Sequence, residues 1–226
     1  MTVVVVAVDS LMPSDIDANV TPNINSLINN GTLYTESRSV FSAETIPNHV
    51  AMMTGVYPDR NGVPTNNFLD REVYATTLAA DATAEAEGED LDNPNELEAK
   101  TLFTWIDDQC RSGAIPRNDA YRTAATLSKT YLYLAFQGDA EDTQPNDAGI
   151  TNVGPDVHWD PRTSPAYIGP GSEHTPDNST GPQAVTMLGD TDFHFINLGD
   201  VDRSSHAGGS TPRMAARGTA DALGIQ

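Results

Sequence analysis

Two short apolar runs leave this chain few folds to adopt. Val3 to Val8 is continuous and almost wholly β-branched. A run of that kind predicts a strand covered on both faces, as found in parallel sheets flanked by helices. Asp192 to Leu198 (Asp-Phe-His-Phe-Ile-Asn-Leu) is apolar and alternating, and predicts a second central strand. Helical patterns separate the two, so the fold class is α/β with a central, mostly parallel sheet. Both runs end in acids. Asp9-Ser10 follows the first, and Gly199-Asp200-Val201-Asp202-Arg203-Ser204-Ser205-His206 follows the second. The carboxyl ends of central strands are where open α/β sheets hold their ligands.

The connecting segments carry their own signals. Thr21-Pro22 opens a helix that Gly31 closes, with Thr21 as cap and Ile24, Leu27 and Ile28 as the buried stripe. Thr32 to Ser37 alternates and predicts a strand. Ser42 to Gly55 predicts a helix with Pro47 in its first turn, Ile46, Val50 and Met53 on one side, and Gly55 as the stop. Thr45 falls at the N-terminal end of that helix, beside unpaired backbone N–H groups that favour bound anions. A hydroxyl there either caps the helix or, if a metal lowers its pKa, attacks phosphorus.

Further on, Tyr57 to Gly62 is a turn cluster, and a loop brings the amides Asn66 and Asn67. Thr101 to Arg111 predicts a helix, Thr123 to Leu127 a strand, and Lys129 to Phe136 a short aromatic helix. His174 precedes the capping sequence Thr175-Pro176-Asp177, and Thr211-Pro212 opens a last helix. Residues 70–98 and 138–161 read as acidic insertions into a single domain, the second holding His158 and Trp159 as loop residues. His194 reads as a core histidine. Cys110, the only cysteine, reads as core and rules out an intrachain disulfide.

Charge narrows the partners. The chain has 32 acidic and 12 basic side chains, a net charge of −20, and only two lysines, Lys100 and Lys129. Such a surface repels nucleic acid and anionic lipid, so neither is expected as a general partner. It suits a protein working at high salt, where screening weakens the self-repulsion. No stretch is long enough for a membrane span, and no basic segment or cleavage pattern accompanies the first strand, so the expected location is cytoplasmic.

Asp9, Asp202 and His206 are hard or borderline metal ligands without a thiolate, a set that suits zinc or manganese. Thr45 lies between them in sequence, and Asn66 offers neutral N–H donors for charge on a transferring phosphoryl group. The ordered segments Val8-Asp9-Ser10, Thr21-Pro22-Asn23-Ile24, Glu44-Thr45-Ile46-Pro47-Asn48-His49, Thr54-Gly55-Val56-Tyr57-Pro58, Asn66-Asn67 and Asp202-Arg203-Ser204-Ser205-His206 resemble the nucleotide pyrophosphatase/phosphodiesterase branch of the alkaline phosphatase superfamily. The resemblance implies a three-layer fold of that superfamily and a hydrolase of phosphodiesters or related phosphate esters. It implies Thr45 as the nucleophile that becomes phospho-threonine, and Asn66 as donor to a non-bridging oxygen. Asp9 and Thr45 would hold one zinc, Asp202 and His206 the other, with His49 packed beneath the nucleophile.

One departure stands out. The family continues with an Asp-His pair and a later His, and no histidine follows His206 here. The expectation is therefore an N-terminal portion of a longer protein or a shortened relative, with sites short of ligands and weakly loaded. The alternative is a degenerate domain that binds phosphate or metal weakly and catalyses nothing.

Overall fold

The computed structural model describes residues 2–67, 97–115, 122–137, 152–169 and 172–207, and positions 217, 219 and 221. Its strands are β1 (Val3–Val8), β2 (Thr123–Leu127), β3 (Val157–Trp159) and β4 (Phe193–Leu198). Its helices are α1 (Pro22–Asn30), α2 (Thr45–Thr54), α3 (Pro58–Asn61), α4 (Leu102–Arg111), α5 (Thr130–Gln137), α6 (Asp177–Leu188) and α7 (Asp200–His206). The described residues divide into two compact units. One gathers Met1–Ser37, Gln109–Phe136 and Pro155–Gln226; the other gathers Arg38–Asp108 and Gln137–Gly154.

The first unit holds the sheet. Its order is β1-β4-β2-β3, and every described pair is parallel. β4 lies between β1 and β2, with Val3 opposite Phe193, Val8 opposite Leu198, and Leu127 opposite Asn197. All six residues of β4 and all five of β2 are buried. Ile196, Leu198, Ala184 and Val201 form one core cluster, with Val6 and Val8 packed against it. His194 is buried there, and its Nε2 lies 2.8 Å from the Thr126 hydroxyl, as expected of a core histidine.

β1 departs from expectation. Val3 and Val4 are 49% and 41% exposed. Among the described strands β1 has one neighbour, β4. The sequence predicts a loop where β3 lies. It is a three-residue strand, too short for periodicity to show. Asp156 sets it beside β2, its carboxylate accepting the Thr123 N–H at 2.8 Å and the Thr123 hydroxyl at 2.9 Å.

Other local expectations also change. Thr21 does not cap α1 with its side chain; its hydroxyl is turned back and donates to the Asp17 carbonyl. The Asp221 carboxylate accepts the Asn23 and Ile24 N–H groups instead. No α1 residue is fully buried, and Leu27 is exposed. Thr32 to Ser37 forms no strand. Pro58–Asn61 is a short helix within the expected turn cluster.

In the second unit Ile46, Val50 and Met53 are buried on one side of α2, and Gly55 ends it at φ 71°, the left-handed region that glycine occupies without strain. Asn152 ties α4 down by accepting the Thr101 N–H and the Thr104 hydroxyl. Most of the two acidic insertions, residues 68–96 and 138–151, and the opening of the last helix lie outside the described residues.

Candidate active site

In the sheet-bearing unit, β1 runs into Asp9 and β4 into α7, so parallel neighbours deliver Asp9 and Asp202 to one carboxyl edge. The Asp9 N–H still donates to the Leu198 carbonyl at 3.0 Å. Ser10 takes a φ of 60° and donates its hydroxyl to Asp202 Oδ1 at 2.6 Å. Between the two carboxylates stands a side chain that motif reading passed over. Lys129 Nζ lies 2.6 Å from Asp9 Oδ2 and 2.9 Å from Asp202 Oδ2, and its side chain is 3% exposed.

The backbone and a glycine hold that lysine in place. Lys129 directly precedes α5. Its neighbours are pinned by Thr175 N–H donating to the Ser128 carbonyl and Thr130 N–H donating to the Glu173 carbonyl. A Cβ on Gly199 would come within 2.7 Å of Ser128 Oγ and 3.2 Å of Lys129 Cε. A side chain at 199 would displace the Ser128 hydroxyl and press on the lysine stem. Burial works against the ammonium, but the Asp9 carboxylate, with Tyr131 and Asp202, outweighs it, and the amine is held above its ordinary range. Burial likewise pushes Asp202 up, while the Ser10 hydroxyl and Lys129 more than reverse this and hold it below the usual carboxylate range.

His206 lies one turn along α7 from Asp202, its Nε2 3.6 Å from Asp202 Oδ1, with an 82% exposed side chain. The sheet edge thus brings Asp9, Asp202 and His206 into one unit. Beside them a second acid pair joins two helix starts. Asp177 accepts the Gly199 N–H at 2.8 Å and the Asp200 N–H at 3.2 Å, and Asp200 accepts the Asp177 N–H at 3.0 Å. Burial and the Asp200 carboxylate push Asp177 up to about 7. His174 is buried, 3.7 Å from Asp200, and held at about 4 by burial and by the Arg203 and Lys129 cations.

Thr45 and Asn66 lie in the other unit. Thr45 is the first residue of α2, and Glu44 occupies the cap position. The cap acceptor is neither of these side chains. Asn66 Oδ1 accepts the Ile46 N–H at 2.8 Å, which leaves its NH2 as the donating end of the amide. Glu44 fastens Asn66 in turn: Oε2 accepts the Asn66 N–H at 2.6 Å, and Oε1 accepts the Ser42 hydroxyl at 2.7 Å. Those two bonds hold the Glu44 carboxyl below its usual range. His49 is buried beneath the first turn, with Nδ1 2.8 Å from the Thr45 carbonyl. Asn67 takes part through its backbone carbonyl, which accepts the Thr65 hydroxyl.

Among the described residues no group of three or more His, Cys, Asp or Glu is placed to hold a metal ion. The Asp9 and Asp202 oxygens nevertheless converge on a single cation, and carboxylate oxygens suit a divalent ion as part of a larger donor set. Lys129 and Glu44 are the two site residues that motif reading missed. Lys129 was findable as one of two lysines in an acidic chain, placed just after a strand buried throughout. Glu44 was findable as an acid immediately before a helix start.

A parallel sheet with helices between its strands and acids gathered at its carboxyl edge makes this an α/β protein. The family is narrower: the model of type I phosphodiesterase / nucleotide pyrophosphatase matches residues 3–217, and the chain belongs to that family. A pyrophosphatase/phosphodiesterase of Schizosaccharomyces pombe is 33% identical over 69 residues, which are 30% of this chain and 14% of that protein. Ectonucleotide pyrophosphatase/phosphodiesterase family member 1 of Rattus norvegicus is 36% identical over 55 residues, 24% of this chain and 6% of that protein. Among solved structures, phosphonoacetate hydrolase from Sinorhizobium meliloti superposes with a TM-score of 0.64 at 17% identity, covering 100% of this chain and 52% of its own. Murine ectonucleotide pyrophosphatase/phosphodiesterase 5 superposes with a TM-score of 0.61 at 18% identity, covering 99% and 51%. The chain thus shares their fold and spans about half their length.

Proposed function

We propose that this chain carries catalytic residues of a metal-dependent hydrolase acting on phosphodiesters or related phosphate esters, with Thr45 as nucleophile. The observation that carries the reading is the fastening of Asn66 at the N-terminus of α2, one residue from Thr45. A helix end that attracts anions, an amide fixed beside it and a hydroxyl are the parts that phosphoryl transfer needs. The Thr45 Oγ–P bond forms as the bond from phosphorus to the leaving oxygen breaks; the hydroxyl proton passes to solvent, and solvent protonates the leaving oxygen. Water then attacks the phospho-threonine, releasing phosphate or phosphomonoester and restoring the Thr45 hydroxyl. Asn66 donates to a non-bridging oxygen as charge develops there.

Zinc, for which Asp9, Asp202 and His206 are the candidate ligands in the sheet-bearing unit, would supply the Lewis acid that phosphoryl transfer uses. The murine neighbour has been solved with AMP and the bacterial one with phosphonoacetate. Small phosphorus-containing anions of that kind are the substrate class we assign. A second reading, a domain that binds phosphate or metal without turnover, draws on Lys129, whose ammonium already neutralises part of the acid pair.

The test is hydrolysis of a chromogenic aryl phosphodiester by the longest natural form of the protein, with zinc supplied. Thr45→Ala is expected to lower turnover by roughly a thousandfold or more, as loss of a nucleophile does. An unchanged rate overturns the assignment of Thr45. A wild-type protein that binds zinc and hydrolyses nothing supports the second reading.

A further inference from the structure

We propose that Lys129 is the resident cation of the Asp9–Asp202 pair, and that a divalent metal loads this edge only by displacing the Lys129 ammonium. The proposal rests on the reading of Asp9 and Asp202 as metal ligands, and adds how they are kept when no metal is bound. Lys129 Nζ uses the Oδ2 atom of both carboxylates, at 2.6 and 2.9 Å. A zinc ion bonds carboxylate oxygen at about 2.0–2.2 Å. On those same oxygens it would lie within close range of the ammonium, where two cations repel strongly in a site almost closed to water. Metal and ammonium therefore exclude each other at Oδ2.

Three features show that the lysine is held there by design of the fold. Its stem passes close over Gly199, where a Cβ would press on Cε at 3.2 Å. Its backbone neighbours are pinned to Glu173 and Thr175. Ser10 donates to Asp202 Oδ1, leaving Oδ2 for the ammonium. An ammonium carries one charge against two carboxylates, so the edge keeps a net negative charge that attracts a divalent ion. The balance is an exchange: the metal enters, and Lys129 leaves with its proton for another position.

The chain has only two lysines, so amine labelling read by mass spectrometry follows Lys129 directly, with the half-exposed Lys100 as internal reference. In the wild-type protein Lys129 is expected to resist labelling without metal and to become labelled at saturating zinc, with Lys100 and the circular dichroism spectrum unchanged. In calorimetric titration with zinc alone, Lys129→Met is expected to bind about tenfold tighter or more, since a competing charge beside the donors is gone. Zinc heat that disappears in Asp202→Ala, with Lys129 still protected in zinc-saturated wild type, overturns this proposal and leaves the metal reading standing. Zinc heat absent from wild type and Lys129→Met alike overturns both. Labelling uses the unmodified chain, so it decides the matter even if a variant fails to fold.

Discussion

The acidic sheet edge and the α2 helix end solve opposite electrostatic problems. At the edge, two carboxylates from neighbouring parallel strands arrive together, and a third party must neutralise them. Lys129 does so from a buried position. At the helix end the unpaired groups are backbone N–H donors, and a neutral amide meets the need: Asn66 accepts from Ile46, and Glu44 holds Asn66. One cluster depends on a single charge and the other on a chain of hydrogen bonds. Removing a part should therefore be costly in the first and mild in the second.

That difference is measurable. Lys129→Met leaves two carboxylates unneutralised at low exposure and is expected to destabilise the protein by about 3 kcal/mol, in the range for breaking a buried pair. Asn66→Ala leaves one N–H to find water and is expected to cost about 1 kcal/mol, as lost helix caps do. Chemical denaturation of both variants in metal-free buffer checks the ranking; equal costs would erase the distinction.

Acidification probes the sheet-bearing unit next. Burial holds His194 at about 4 against an ordinary 6.5. Its folded pKa lies below its unfolded one, so the stability of the neutral ring is full above pH 6.5 and is lost as pH falls towards 4. For a shift of that size the loss is roughly 3 kcal/mol at its limit. His174 adds in the same direction. Asp177 opposes them, its folded pKa being raised, so its contribution is full below 3.8 and lost as pH rises through about 7. His194→Gln keeps a partner for Thr126 without titrating there, and should flatten the fall in melting temperature between pH 6.5 and 4. A slope identical to wild type would assign the loss to other groups.

The smallest effect concerns salt. The net charge of −20 makes the chain repel itself, and screening should raise the melting temperature between low and molar salt. The buried Lys129 cluster should respond little, so Lys129→Met and wild type should rise in parallel. Divergence would mean that the cluster is open to solvent ions.

How much was legible in the sequence follows from the same contrast. β2, β4, α2 and α4 declared themselves through local periodicity and punctuation. So did Asp9 and Asp202, because strand ends at one sheet edge follow from parallel order alone. The Lys129 contact did not show, because it joins residues from three separate chain segments and a lysine before a helix carries no motif. The bond from Asn66 to the start of α2 was hidden for a similar reason. Thr45 is the local hydroxyl, yet the Ile46 N–H finds its acceptor in Asn66, twenty residues on. Thr21 failed in the same way, replaced by Asp221 from near the other end of the chain. The exposure of Val3 and Val4 did not show either, since neighbours and not composition decide exposure.

The mutual bonds between Asp177 and Asp200 have a dynamic consequence. Each carboxylate closes the first turn of the other's helix, so α6 and α7 share one set of end contacts. Neither helix can fray at its start without stripping partners from the other. Their opening is thereby made cooperative, and amide protons at Asp177, Gly199 and Asp200 belong to one exchange unit. A break between the end of β4 and the start of α7 is transmitted to a helix that lies twenty residues earlier in the chain.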